Sequence, residues 1–309
     1  MKRRACSGKN SSQEVIMSSR VYFSKTITPE KVLEMYKLTG KELTGKVAAK
    51  VHSGEKGNQN FLHPQFWKLV IEALNATVIE CNTAYEGERN HTDKHIKLLQ
   101  DHEWSEYFDV DLLDAEGPDL VLPVNYGKNL TQNRVGKHLA DYDSMIVLSH
   151  FKGHPMGGYG GAIKQLSIGC ASSAGKCLIH SGGKVDDQEI VWKNTAPQDT
   201  FIECMAEAAG SVVELFKGNI VYINVMANMS VDCDCCAVAE DPCMKDIGIL
   251  AGLDPVAIDQ ACLDLVYNSD DPGRDHMVER IDSRHGMHAV EAAAELGYGS
   301  REYELIEVK

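Results

Sequence analysis

The sequence predicts an α/β protein of two lobes, built on a mostly parallel sheet with a cleft between the lobes. Three observations carry this. Short apolar runs alternate with segments of helical period, and polar loops follow several of the runs. The chain of 309 residues, 43% hydrophobic and 25% charged, is also long enough for one large core or two modest ones. A soft boundary after residue 190 divides an N-terminal α/β lobe (20–190), which carries a glycine-rich loop, from a C-terminal α/β lobe (191–309), which carries a cysteine-rich loop. No internal repeat or low-complexity segment interrupts the pattern.

Residues 1–19 read as a disordered leader: MKRRACSGKNSSQEVIMSSR is basic and then polar, without the apolar stretch of a signal peptide. Next, RVYFS is a β-run leading into a helix over 29–38. KVAAKVHSG contains a strand, and HPQFWKLVIEALN a helix whose Pro64 suits the first turn. TVIEC, DSMIVLSH and GNIVYINVM are further strands, each bounded by polar residues. In APQDTFIECMAEAAGSVVELF, Phe201, Met205, Ala208, Val212 and Phe216 share one helical face, with Glu203, Glu207 and Glu214 elsewhere. Asp254-Pro255 reads as an N-cap and first-turn proline for a helix burying Ile258, Ala261, Cys262 and Leu265. His91 and His95, one turn apart, are expected on a solvated helix face, and burial or capping accounts for His285 and His288.

The net charge of −14 argues against a nucleic-acid or anionic-membrane partner, both of which need a basic face. No apolar run reaches the roughly 18 residues of a spanning helix. The cytoplasm is therefore the expected location, where the ten cysteines are thiols, metal ligands or redox groups rather than a disulfide framework.

Three polar loops follow strands: HSGEKGNQNFLHP, NTAYEGERNHTDKH and SHFKGHPMGGYGGAIK. On parallel neighbouring strands these loops share one sheet edge, which would bring His52, Lys56, Thr83, Arg89, His150, Lys152, His154 and Lys164 towards one cleft. Such a cluster of cations and donors in an acidic protein suits a small anionic ligand. Gly157, Gly158, Gly160 and Gly161, without Cβ atoms, would let backbone N–H groups approach it, while a tight turn packing a helix on the sheet is the plainer use of the same glycines. The order G-G-Y-G-G matches neither the P-loop nor the dinucleotide-binding fingerprint.

VDCDCCAVAEDPC places Cys233, Cys235, Cys236 and Cys243 within eleven residues. Asp232, Asp234, Glu240 and Asp241 would disfavour thiolates there unless a cation is bound, so an iron–sulfur cluster or another transition metal is the leading reading, ahead of a redox thiol pair or inert thiols. The spacing C-x-C-C-x6-C leaves the cluster type open.

Six blocks in order, HSGEKGNQNFLHP, NTAYEGERN, VLSHFKGHPMGGYGGAIKQLSIGCASSAGK, DCDC, DIGILAGLDPVAIDQACLDLV and RHGMHAVEAAAELGYGSREYELI, resemble the family of domain of unknown function 362, often labelled iron–sulfur centre proteins. The resemblance runs from about residue 20 to the C-terminus and assigns no reaction. Many members carry a ferredoxin-like insert with repeated C-x2-C after the segment matching GCASSAGK, and this chain does not: CLIHSGGKVDDQEIVWKN stands there. His154, the G-G-x-G-G run and Lys164 are also similar to the H-x-x-x-G-x-x-G-G-x-K stretch of the nickel-pincer lactate racemases, in which the histidine and lysine serve a cofactor site between two α/β domains.

These readings give one expectation and two alternatives. The expectation is a metal- or iron–sulfur-dependent, redox enzyme acting on a small anionic compound, with His154 and Lys164 catalytic. Lys152, Arg89, His52 and Thr83 would help hold the ligand. The alternatives are a non-catalytic metal or cluster carrier docking to a redox partner protein, and a racemase- or isomerase-like enzyme.

Overall fold

The structure, a computed structural model, describes residues 19–309, so the expected leader lies outside the described residues except for Ser19. The chain runs β1 (Ser19–Ser24), α1 (Pro29–Leu38), β2 (Val47–Lys50), α2 (Pro64–Ala73), β3 (Thr77–Glu80), α3 (Thr92–Asp101), α4 (Trp104–Tyr107) and β4 (Val110–Leu112). The hairpin β5 (Leu120–Pro123) and β6 (Gln132–Val135) precedes β7 (Ser144–His150), the hairpin β8 (Lys152–His154) and β9 (Gly158–Gly160), α5 (Ala162–Leu166) and α6 (Ser173–Ser181). Then come α7 (Gln198–Leu215), β10 (Ile220–Met226), β11 (Gly248–Gly252), α8 (Pro255–Tyr267), α9 (Arg274–Ser283), α10 (His288–Glu295) and β12 (Tyr303–Glu307).

Eight strands form one sheet in the order β12-β1-β11-β10-β7-β2-β3-β4, and only β11 runs against the rest. The α/β class and the mostly parallel sheet are thus present. The strands on the two sides of the residue-190 boundary join here, because β10 pairs in parallel with β7, Ile220 opposite Met145 through Val225 opposite His150.

Both faces of the sheet are covered, which is why its central strands read as unbroken apolar runs. Along β7, Met145 and Val147 enter the core beneath α5 to α8, while Ile146 and Leu148 enter the core beneath α1 and α2, where Trp67, Val70 and Ile71 lie. The helix starts follow their capping chemistry. Thr28 accepts from the Lys31 N–H at 3.2 Å ahead of Pro29, and Asp254 accepts from Val256 and Ala257 N–H ahead of Pro255. Ile258, Ala261 and Cys262 are fully buried, as expected.

Two polar expectations are corrected. His95 sits at 0% exposure rather than on a solvated face, its Nδ1 bonded to the Asn82 side chain at 3.2 Å. Burial, the largest cause, pushes its pKa down to about 3, so the ring is neutral. Glu207, on α7, is buried as well, because its carboxylate gathers the otherwise unpaired N–H groups of Lys128, Asn129 and Leu130. The described cysteines form no disulfide, and no helix among the described residues is long and apolar enough to cross a membrane.

Candidate functional site

Because β2, β3, β7 and β10 are parallel, the loops after all four leave from one edge, and that edge is where the charged residues collect. At the base lies a buried ionic network. Lys50 pairs with Glu80, whose other oxygen accepts from Ser53, and Arg89 spans Glu80 and Glu55. The charges of Lys50 and Arg89 outweigh burial and hold the Glu80 carboxyl far below the usual range. Lys152 and His150 Nδ1 both bind the Asp234 carboxylate. Arg89 and Lys152, expected to hold a ligand, are thus engaged by carboxylates of the chain itself.

Asp234 also fixes the cysteine loop. Its carbonyl accepts from Glu55 N–H at 2.8 Å, Cys236 N–H closes a turn onto the Cys233 carbonyl at 2.9 Å, and Asn58 Nδ2 donates to the carbonyls of Cys233 and Cys236. The loop after β2 therefore cradles the turn that carries the thiols. From the other side the β8–β9 hairpin approaches: Gly153 N–H donates to the Ser230 carbonyl at 2.9 Å, and a Cβ at Gly153 would stand 2.3 Å from the Val231 carbonyl oxygen. Gly153→Ala is therefore expected to force the two loops apart. Metal uptake should fall at least about tenfold, a change of roughly 1.4 kcal/mol, while Gly160→Ala, whose Cβ would meet only the flexible Lys164 stem at 3.4 Å, should change it little. Titration of both variants with zinc against a chromophoric chelator checks this.

Asp259 anchors the glycine-rich segment to the sheet. Its carboxylate accepts from Ala162 N–H (2.8 Å), Ile163 N–H (3.0 Å) and Asn224 Nδ2 (2.7 Å), and Gly161 leaves the room it needs, since a Cβ there would lie 2.4 Å from Oδ1. Lys164, the next residue, is aimed at the cysteines.

The two loops meet in one centre. Lys164 Nζ stands 3.8 Å from Cys233 Sγ, and His154 Nε2 stands 3.7 Å from Cys235 Sγ. The donor atoms of His154, Cys233 and Cys235 lie within 4.8 Å of one another, a group that can hold a metal ion. Burial raises the Cys233 thiol, but a hydrogen bond from Cys235 and the charges of Lys164 and Lys152 together hold it well below the ordinary range. Cys235, donating to that sulfur, is pushed the other way, so of the two sulfurs Cys233 is the one favoured as thiolate. Burial depresses Lys164, and the sulfurs of Cys233 and Cys235 more than offset this. His154 is lowered chiefly by burial, with Lys164 adding to the effect. Its Nδ1 accepts from Met156 and Gly157 N–H at 3.1 and 2.8 Å, which leaves the proton of the neutral ring on Nε2, facing the sulfur.

This centre opens into a cavity of about 570 Å³ whose lining includes His52, Thr83, Arg89, His154, Lys164 and Cys235. Cys236 also reaches the cavity but lies outside the three-residue group. Cys243 lies apart from that group and from the cavity lining, its thiol donating to the Met229 carbonyl at 3.4 Å. Gly157, Gly158, Gly160 and Gly161 shape the hairpin and the start of α5. The lining also includes Lys176 and His180, to which the sequence assigned no role at the site. Their signal was present, since they lie four apart on α6 and so share a helix face.

Fold and site together define an α/β protein with a cysteine- and histidine-lined cleft at the carboxyl edge of its sheet. The chain belongs to the family described as domain of unknown function (DUF362), whose model matches residues 47–264. No curated protein matches the chain. Among solved structures it is similar to the lactate racemase apoprotein from Thermoanaerobacterium thermosaccharolyticum, at 12% identity over 66% of this chain and 50% of that one, with a TM-score of 0.40. It is also similar to a structural-genomics protein from Thermotoga maritima, at 13% identity over 87% of this chain and 59% of that one, with a TM-score of 0.37. The chain thus spans between half and three fifths of the length of these two proteins.

Proposed function

We propose that this protein is a metal-dependent enzyme acting on a small anionic compound bound in the cavity. The observation that carries the reading is the 3.8 Å approach of Lys164 Nζ to Cys233 Sγ: an ammonium suited to an anion stands beside a sulfur suited to a metal. The donor set fits a single transition-metal ion better than a cluster. Three donors within 4.8 Å need only contract slightly around one tetrahedral ion, with metal–sulfur bonds of about 2.3 Å and metal–nitrogen bonds of about 2.0 Å. Cys233, Cys235 and His154 would hold the ion, which supplies Lewis-acid or electron-transfer chemistry when bound. Lys164 neutralises the ligand's oxyanion, and the cavity walls exclude water around it. Uptake displaces the Cys235 thiol proton and so releases acid, whereas ligation through His154 Nε2 shifts the ring proton to Nδ1, which gives up its bonds from Met156 and Gly157 N–H.

A second reading rests on the His154 ring. With Nδ1 accepting two backbone N–H groups, Nε2 is a donor facing the cavity, the disposition of a proton-transfer group in an isomerase- or racemase-like enzyme that needs no metal on that nitrogen.

Loading the protein with cobalt(II) under anaerobic conditions separates the two. The metal reading expects about one equivalent bound with tetrahedral thiolate absorption bands, a shift of those bands on adding acetate or phosphate, and weaker binding in His154→Gln. Metal binding without any response to anions points to a carrier. Cobalt uptake unchanged in His154→Gln favours the proton-transfer role for that residue, and no uptake at all overturns the metal reading.

A further inference from the structure

Beyond the thiolate centre, the cavity has a second polar wall. It is built by α6, which starts at the Ser172 cap, where the hydroxyl accepts from Gly175 N–H at 3.1 Å. One turn on, Lys176 is 6% exposed and His180 is 8% exposed, and both line the cavity. Lys176 Nζ donates to the Ala171 carbonyl at 2.5 Å. Among the described residues it has no carboxylate within 4.0 Å, whereas two other buried lysines at this edge have one, Lys50 with Glu80 and Lys152 with Asp234. A buried ammonium that spends one of its three donors on a carbonyl leaves two for something else.

His180 gives an independent indication. Its Nδ1 is buried and has no hydrogen-bond partner among the described residues, an unusual state for a polar atom inside a protein. The ring is held flat against Phe201, with centroids 4.7 Å apart and planes at 11°, and Trp192 lies 5.1 Å away. Beside the two polar groups there is therefore an aromatic wall. The cavity, at about 570 Å³, falls within the range of roughly 300–1,000 Å³ that encloses drug-sized ligands and far exceeds what a three-carbon acid fills.

We infer that Lys176 and His180 form a second anion subsite in the same cavity, so that the ligand is a dianion: one acidic group on Lys164, a second on Lys176 and His180, and an apolar, ring-sized body against Phe201 and Trp192. This rests on the anion-binding role of Lys164 proposed above and names the ligand class more closely. A second anionic group would satisfy the free donors of Lys176, and the helix face supplies the spacing.

The test uses the full-length protein and reads Trp192 fluorescence during titration with benzoate and with the three benzenedicarboxylates. At least one dicarboxylate is expected to bind about tenfold more tightly than benzoate, a ratio worth roughly 1.4 kcal/mol. Lys176→Met should abolish that advantage, so that no benzenedicarboxylate binds more tightly than benzoate does to the same variant. Lys176→Gln is read in the same way where Lys176→Met does not fold. Lys164→Met should weaken both ligand types. An advantage that survives Lys176→Met, or no advantage in wild type while Lys164→Met still weakens benzoate, overturns the second subsite and leaves the first standing. No binding of any of the four acids overturns both.

Discussion

Serine at both Cys233 and Cys235 is expected to reduce anaerobic metal content from about one equivalent to less than about one tenth. The size of this effect follows from the donor set. Two of the three converging donors are sulfurs, and the one held as thiolate is Cys233, the form that binds metal. A serine hydroxyl offers no comparable anion at neutral pH. Structural thiolate sites contribute apparent binding free energies on the order of 10–16 kcal/mol, so removing two soft ligands takes the affinity below the range in which a chelator competition detects it. Two controls fix the interpretation. Cys243→Ser should keep its metal, because that thiol is occupied with the Met229 carbonyl. Cys236→Ser, in the same turn but outside the three-donor group, should lose no more than a small part. Equal metal content in wild type and the double variant, measured by elemental analysis after anaerobic loading, would remove the metal centre from the account.

How much of this was legible in the sequence depends on the range of the interaction. Strands β2, β3, β7 and β10 announce themselves because a strand buried on both faces must be apolar throughout, and the gathering of their loops at one edge follows from parallel pairing alone. β11 does not announce itself, since GILAG is bounded by two glycines, and β12 is exposed along much of its length at the sheet edge. The two loops that build the centre were visible as local anomalies, one dense in glycine and one in cysteine.

Which cations are free was not visible. Lys152 and Arg89 have the chemistry of anion binders, yet their partners are Asp234 and Glu55 from other loops and Glu80 at the end of β3, and no local pattern reports a pairing such as Lys152 with Asp234 across 82 residues. The reverse case is Lys176: it stands out with Lys164 in the same glycine-rich stretch, but a role for it appears only once the fold shows it buried at the cavity wall with no carboxylate within 4.0 Å. His95 went astray for a related reason. A polar helix with histidines one turn apart looks solvated until the Asn82 side chain, from the preceding loop, is seen to cover it.

Asp234 is the residue whose loss should unsettle the most. It lies between Cys233 and Cys235 in the chain, is 1% exposed, and binds Lys152 Nζ and His150 Nδ1. Asp234→Ala leaves the Lys152 ammonium buried without its counter-charge, a change that costs about 3–5 kcal/mol when a buried pair is broken from one side. The turn carrying Cys233 and Cys235 also loses its anchor, so metal affinity should fall although Asp234 donates no ligand. The same residue sets an acid limb. Burial opposes its ionisation, but His150 and Lys152 together hold the folded-state carboxyl far below the ordinary range. A depressed folded pKa means that the unfolded chain binds the proton first. The stabilisation is therefore full above the ordinary aspartate value of about 4 and drains away as the pH falls below it. Urea midpoints measured from pH 7 down to pH 3 should drop steeply below about pH 4 in wild type and more shallowly in Asp234→Ala, which starts from a lower value. Asp234→Asn, which keeps an acceptor for Lys152 but not the charge, should fall between the two at neutral pH. An Asp234→Ala protein as stable as wild type at pH 7, with an unchanged acid limb, would show that the Lys152–Asp234–His150 cluster does not hold the cysteine turn in place.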